Sequence, residues 1–395
     1  MTHGVPQPGT IPLRRIAASA GIIACNEEEA IVPMLETFFR QTFFSKLETS
    51  GAACEILVVT NGCTDRTAEM ARQILEHQSA THPHRLAFVW RVLELTQKGK
   101  LNAWNEFVHQ HSAKEAEFLF LLDGDILLED PETLWSMQSA LENNSKACVS
   151  TDQPLKDIAV KQSKSWKDRV SLATTQMNRT AKAQLTGQLY CIRAPIARNI
   201  FLPKDLVACE DGFIKSLACS FFLTRESSPE RIVQAENASH IFEAYISLPD
   251  ILRNQKRQMI GQTVVHILVD DYLHHLPLEQ KLNFAETVQD KEKNDPDWLK
   301  RLIAAHLKRV KYFWRLFPGL LTYRFERLAA LKGIRKIVHF PSALAGFVMT
   351  MIASWQAWRF LKAGSTHYWP DTKSRNLKNL NVPNSGPPAK LAGTV

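Results

Sequence analysis

Apolar residues fall along the first third of the chain in short continuous runs, each closed by polar residues and followed by helical spacing. RIAASAGIIA (15–24) reads as a strand and NEEEAIVPMLETFFRQTF (26–43) as a helix. Asn26 stands at its expected N-cap, with acids in the first turn to suit the helix dipole. CEILVVT (54–60) is a β-branched run that predicts a buried strand, followed by the turn NGCTD and a helix to about His77. RLAFVWRVLEL (85–95) predicts a third strand, KGKLNAWNEFVHQH (98–111) a helix, and EFLFLLD (117–123) a fourth strand. Strand and helix alternating at this spacing predict an α/β fold: a Rossmann-like, mainly parallel sheet with helices on both faces.

Past residue 150 the pattern loosens. Residues 151–186 are polar with helical spacing, TGQLYCIRA (186–194) predicts a strand, and ACEDGFIKSLACSFF (208–222) opens a helix on an acidic pair. An amphipathic helix is expected over 248–273. The last 33 residues are poor in apolar side chains and read as disordered. The expected organisation is a disordered start (1–14), one α/β domain (15–275), a basic and apolar helical region (276–362) and a disordered tail (363–395).

Ligands of open α/β sheets sit beyond the carboxyl ends of the strands. Four polar loops fall at such ends: Cys25 to Glu27, Asn61 to Asp65, Lys98 to Lys100, and Asp123 to Asp125. Two aspartates one residue apart at the end of an apolar strand suit a hard divalent cation, Mg²⁺ or Mn²⁺, bridging a diphosphate. A solvated turn is the other reading of that pair taken alone.

Charge changes the picture only at the C-terminal end. The seven cysteines are scattered and form no CxxC pair, which argues against a disulfide framework or zinc site and for a reducing compartment. The first fifteen residues contain no apolar signal-peptide core. Of the net +8, residues 298–336 carry +10, from eleven Lys/Arg and one acid, and residues 359–395 carry +5. That leaves 1–297 at −7, so nucleic acid is not an expected partner of the main domain. Residues 337–358 carry no Lys, Arg, Asp or Glu and are long enough to span a bilayer. Basic residues interleaved with Trp, Tyr, Phe and Leu beside that run predict contact with an anionic membrane surface. The segment would span, lie in the interface, or pack as a buried hairpin on the main domain.

The segments IIACNEEEAI, EILVVTNGCTDRTAEMA, KGKLNAWN, FLLDGDI, TGQLYCIRAPI, CEDGFI and RNQKRQMIGQ occur in the order and spacing of family 2 glycosyltransferases. Over about residues 16–262 the chain resembles these inverting enzymes of GT-A fold, which use nucleotide-sugar donors. The resemblance implies that Ala24, Cys25 and Glu27 edge the nucleoside. Asn61 stands where the family usually has an aspartate facing the base, which leaves UDP- and GDP-linked donors both open. Lys100 matches a lysine near the phosphates or ribose; a solvated helix start is its other reading. Asp123 would touch the ribose or donor sugar and Asp125 would bind the metal. Glu210 and Asp211 match an ED motif whose aspartate deprotonates the acceptor, although acids at a helix start are also ordinary caps.

Aligned on Gly261, Asn254, Arg257 and Gln258 stand at the family's Gln-x-x-Arg-Trp. Arg257 keeps a cation for the leaving diphosphate, and the Trp is absent, which argues for transfer of one sugar rather than processive polymerisation. His240 is a candidate third metal ligand or a structural histidine. The expected activity is inverting, metal-dependent transfer of a hexosyl or N-acetylhexosaminyl group to a glycan or lipid-linked acceptor at the cytoplasmic face of a membrane. A sugar-phosphate nucleotidyltransferase should carry a Gly-rich, basic loop after its first strand, and ACNEEEA has none. The non-enzyme alternative is a degenerate domain serving as a membrane-bound interaction module.

Overall fold

The computed structural model describes residues 14–160, 184–245, 247–310, 312–317, 319, 322–331, 333 and 335–364. The expected disordered ends lie almost wholly outside these, as does most of the polar stretch 151–186. The amino-terminal half runs β1 (Arg15–Ala24), α1 (Ile31–Phe39), α2 (Phe43–Thr49), β2 (Ala52–Asn61), α3 (Thr67–Thr81), β3 (Phe88–Leu95), α4 (Lys100–Asn105) and β4 (Phe118–Asp123). There follow β5 (Leu127–Leu128), α5 (Thr133–Glu142), β6 (Val149–Lys156), α6 (Asp157–Val160), β7 (Leu189–Arg193), α7 (Ala194–Arg198), α8 (Glu210–Cys219) and β8 (Ile232–Phe242). The rest is helical: α9 (Leu248–Asp271), α10 (Leu278–Leu282), α11 (Phe284–Asn294), α12 (Trp298–Arg309), α13 (Phe313–Leu316), α14 (Tyr323–Ala330) and α15 (Arg335–Lys362).

One eight-stranded sheet carries these elements in the order β3-β2-β1-β4-β7-β6-β8-β5. β1 pairs in parallel with β2 and β4, and β2 with β3, because helical crossovers return the chain to the same end of the sheet each time. β7 runs antiparallel to β4 and β6, and β5 antiparallel to β8, while β6 and β8 are parallel. Four of the seven strand pairings among the described residues are parallel, as expected, and the sheet as a whole is mixed. Strand order reverses between β1 and β4, so their carboxyl ends open a crevice at that switch point.

Side chains alternate across the sheet and feed one core on each face. Phe118, Phe120 and Leu122 of β4 join Phe38, Phe43, Phe44 and Ile56 on one side. Leu119 and Leu121 join Trp104, Phe107, Tyr190, Phe213 and Leu268 on the other. Leu299 and Leu307 of α12 and Ala357 and Leu361 of α15 belong to that second core, so apolar packing runs unbroken through the expected boundary near 275. In the middle of β2 the buried Glu55 accepts hydrogen bonds from Ser19 Oγ (2.8 Å), the Ala113 amide (2.7 Å) and Arg91 (2.9 Å). A strand carboxylate is tolerated there because both of its oxygens meet donors.

Several local expectations need correction. The helix expected to start at Asn26 begins at Ile31, after Ala30, with no side-chain cap. Asn26 instead takes a left-handed backbone (φ 57°) and its Oδ1 accepts the Thr64 amide at 2.8 Å. Residues 85–87 form a 3₁₀ turn before β3, and α4 passes into a π-helical turn over Glu106–His111. Residues 151–156, expected as helix, complete β6, where pairing with β7 and β8 overrides polar composition.

Residues 337–358 lie within α15, and no helix among the described residues is long and apolar enough to cross a membrane. The spanning alternative therefore falls. His339, Pro341, Ser342, Thr350, Ser354 and Gln356 dilute the apolar run, and one side of the helix packs against α9 and α12.

Candidate active site

The four polar loops do meet at the carboxyl ends of β1 to β4. Asn61, the last residue of β2, is only 2% exposed and ties three of the strand ends together. Its Nδ2 donates to the Ala24 carbonyl (2.9 Å) after β1, and its Oδ1 accepts the Gly99 amide (2.9 Å) before α4. An aspartate would present only acceptors to Ala24, so the amide is required for this double tie. The side chain is thereby held at both ends in the floor of the crevice. Glu27 and Thr67 join the first loop to the start of α3 through the Glu27 amide and Thr67 Oγ1 (2.8 Å). The Gly124 amide donates to Ile23 O at 2.8 Å, which seats the two aspartates beside the end of β1. Ala24 is buried, while Cys25 and Glu27 are half-buried along the rim.

Asp123 closes β4 and Asp125 follows two positions later, both half-buried. Lys100, the first residue of α4, places Nζ 2.6 Å from Asp123 Oδ1 and 3.0 Å from Glu210 Oε1, and donates to Gly187 O at 2.8 Å. All three ammonium hydrogens are used. Lys100 is thus a brace between the aspartate loop and the helix carrying the acidic pair. Attraction from Asp123 and Glu210 outweighs burial and holds its ammonium well above the ordinary range. Burial raises Glu210, but Lys100 and Arg257 outweigh it and hold this carboxylate below its usual value. Burial, helped by Asp125, pushes Asp123 up to about 7 against the pull of Lys100.

Asp211 stands in the first turn of α8, half-buried, with Oδ1 accepting the Gly212 amide at 2.8 Å. Burial and the adjacent Glu210 raise its carboxyl, while Lys100 and Arg257 draw it down. The loop that delivers it is strained. Val207 (φ 65°) and Cys209 (φ 63°) both sit in the left-handed region, which costs a non-glycine residue about 1 kcal/mol or more. The packing of α9 holds the loop there. A Cβ at Gly261 would stand 2.7 Å from the Ala208 carbonyl oxygen and 2.7 Å from Cys209 Sγ. Gly261→Ala is therefore expected to cost about 1–3 kcal/mol in urea unfolding and to shift the Asp211 loop. Arg257 lies one turn earlier on α9 and acts on Glu210, Asp211 and Tyr245.

His240 lies in β8, fully buried. Nδ1 meets Asp152 Oδ2 at 2.7 Å and Nε2 meets Gln188 Oε1 at 3.2 Å, so both ring nitrogens have protein partners. Among the described residues no group of three or more His, Cys, Asp or Glu is arranged to hold a metal.

Two contributors escaped the sequence reading. Gly187 supplies the carbonyl for Lys100, and a Cβ there would stand 2.8 Å from Glu210 Oε1, so the glycine inside TGQLY was the available signal. Tyr245, 37% exposed, senses Arg257, Asp125 and Asp123 from just beyond the end of β8; nothing in its local sequence marks it.

Residues 19–194 match the family model described as glycosyl transferase family 2. No curated protein matches the sequence. Among solved structures the chain is similar to a mannosyltransferase from Pyrobaculum calidifontis in complex with GDP-Man and Mn²⁺, at 18% identity and TM-score 0.49, covering 89% of this chain and 87% of that one. Another is S. aureus TarS 1–349, at 15% identity and TM-score 0.40, covering 89% and 92%. A third is glucosyl-3-phosphoglycerate synthase from Mycobacterium tuberculosis with Mn²⁺, UDP-Glc and phosphoglyceric acid, at 13% identity and TM-score 0.41, covering 70% and 87%. Over residues 19–194 the chain is thus similar to glycosyl transferase family 2.

Proposed function

We propose that this protein is an inverting, metal-dependent glycosyltransferase that moves one hexosyl or N-acetylhexosaminyl group from a UDP- or GDP-linked donor to an acceptor hydroxyl. The acceptor is a lipid-linked or cell-envelope glycan presented at the cytoplasmic face of a membrane. The observation that carries this reading is the Asp123–Lys100–Glu210 brace, which sets the aspartate loop and the acidic helix start on one crevice.

Charge there favours a cation. Four carboxyls, Asp123, Asp125, Glu210 and Asp211, stand against two cations, Lys100 and Arg257, and the raised Asp123 and Asp211 mark a site that favours added positive charge. The candidate donors are carboxylate oxygens, the hard ligands that Mg²⁺ or Mn²⁺ takes beside diphosphate and water. Asp125, with Asp123, would hold the ion, which when bound supplies positive charge against the departing diphosphate.

The remaining work falls to the chain itself. The floor tied by Asn61 and the rim at Cys25 and Glu27 receive the nucleoside. Arg257 offsets charge that builds on the leaving group. Asp211 takes the acceptor proton as the hydroxyl oxygen attacks the anomeric carbon from the face opposite the diphosphate. One displacement inverts that centre, and no glycosyl–enzyme bond forms.

A thermal-shift series with UDP, GDP, ADP and CDP, each with and without Mn²⁺, tests the assignment. One uridine or guanosine diphosphate is expected to raise the Tm only with the metal, since ligand at 100 Kd stabilises by about 2.7 kcal/mol. No response to any of them would sink the transferase reading. Binding without donor hydrolysis or transfer would instead support a degenerate domain.

A further inference from the structure

α15 carries large apolar side chains on the side turned away from the core as well as on the side packed against it. Its buried residues are mostly small or polar, Thr350, Ala353, Ser354 and Ala357, joined by Leu361 and by the half-buried Met351, Trp358 and Phe360, which pack against the core. Six other large apolar side chains point the other way. Ile337, Phe340, Leu344, Val348, Ile352 and Trp355 are each between 41% and 74% exposed. Steps of three or four residues align them on one side of the helix, in a stripe about 27 Å long at 1.5 Å per residue. Nothing in the described chain covers it. An exposed apolar stripe of this length is the mark of an interaction surface.

The surroundings say what covers it. In sequence the segment just before the helix, 298–336, carries +10, of which Lys300, Arg301 and Arg309 are paired with Asp297, Asp295 and Asp271, and Arg359 and Lys362 follow the stripe. The Arg359 guanidinium lies 4.9 Å from the Trp355 ring centre, at the end of the stripe. Beside α15, Tyr312 and Trp314 are 48% and 41% exposed and stack at 4.8 Å with a 7° interplanar angle. Apolar residues in a plane, aromatic side chains at its margin and a basic surround fit an anionic lipid surface. A second copy docked through the same face would set basic margin against basic margin, since the one acid among residues 298–362 is Glu326. Because no described helix is apolar enough to cross, insertion stays in the interface.

We propose that the outward stripe of α15, with its basic and aromatic margin, is a monotopic docking face for anionic lipid, through which the acceptor reaches the site from the bilayer. The acceptor half of this statement rests on the transferase reading above; the docking half does not. The mechanical link is short. α15 packs on α9, with Lys256 Nζ 5.1 Å from the Phe360 ring centre. The same α9 carries Arg257 and, through Gly261, abuts the loop before Asp211. A lipid surface against α15 is thus fixed relative to the acceptor side of the crevice.

The test uses the full chain and the double variant L344E/V348E, in which both changes lie on the outward face. Flotation is measured with phosphatidylcholine–phosphatidylglycerol vesicles and with phosphatidylcholine alone, at low and high salt. Wild type should float with the mixed vesicles, and far less with the neutral ones. High salt should weaken that binding by about tenfold without abolishing it, because screening acts on the basic margin and not on the stripe. L344E/V348E should lose binding by at least about tenfold while its thermal response to a nucleoside diphosphate and Mn²⁺ is unchanged.

Wild type remaining in solution at low salt overturns the proposal, as does unchanged flotation of the variant. A wild-type dimer that the variant converts to monomer, with no flotation by either, overturns it in favour of self-association. Flotation with no response to any nucleoside diphosphate sinks the transferase reading and leaves the docking face standing.

Discussion

Asp211→Asn is expected to reduce sugar transfer by several orders of magnitude while donor binding stays intact, since the change removes a proton acceptor and keeps the shape. Asp211 Oδ1 accepts the Gly212 amide, and an asparagine oxygen can do the same, so the helix start is preserved. The same variant has a second readout. Burial and Glu210 raise the Asp211 carboxyl above its unfolded value, opposed by Lys100 and Arg257. The folded protein therefore binds this proton more tightly than the unfolded chain. Its contribution to stability is complete below the unfolded pKa and is lost as pH rises through the folded one. At neutral pH the native carboxylate sits in a site that disfavours its charge. The substituted amide carries no charge, so the variant should melt at least as high as wild type at pH 7, with a smaller advantage at pH 4. In wild type the acidic limb of the rate profile should fall above the pH of an ordinary aspartate. A variant that loses donor affinity with unchanged turnover would place Asp211 among binding or capping groups.

The second large effect belongs to Asp125. Asp125→Ala should eliminate turnover and the metal-dependent part of nucleoside diphosphate binding, with near-native stability. The residue is half-buried in a turn beyond β4, outside both cores. Excess EDTA should do the same to wild type, and Mn²⁺ or Mg²⁺ should restore it. Full turnover in the variant or in EDTA would refute the metal assignment.

The strands that position the site were legible because each is a continuous apolar run ended by a polar loop, a local signal. β1, β2, β4 and β7 fall within a few residues of their expected places. What escaped is non-local. Asn26 has the chemistry of a helix cap, yet Thr64 from another loop takes its oxygen. β6 reads as polar helix because its partners, β7 and β8, arrive much later in the chain.

At the candidate site, the motifs brought Lys100, Asp123, Glu210 and Asp211 to one crevice, but their mutual roles were not visible. Lys100 looked like a phosphate contact and is an internal brace. Asn61 looked like a base-facing residue and is a tie within the floor. Both differences depend on which side chains end up within hydrogen-bond reach, which spacing in a sequence does not encode. Residues 337–358 were legible as an uncharged, apolar run, but which side of the helix would carry the large residues depended on the position of α9.

The Asn61 tie also bears on how the protein ages. Asn-Gly is the dipeptide most prone to spontaneous deamidation, because the glycine nitrogen can curl back onto the side-chain amide. Here that nitrogen donates to Leu95 O at 2.7 Å and the Asn61 amide is held at both ends. The cyclisation is blocked as long as the floor stays shut. Each local opening releases it, and the product aspartate would set an acceptor against the Ala24 carbonyl and keep the three strand ends from closing again. Opening of β2 at its carboxyl end is therefore the event that would expose this peptide to deamidation.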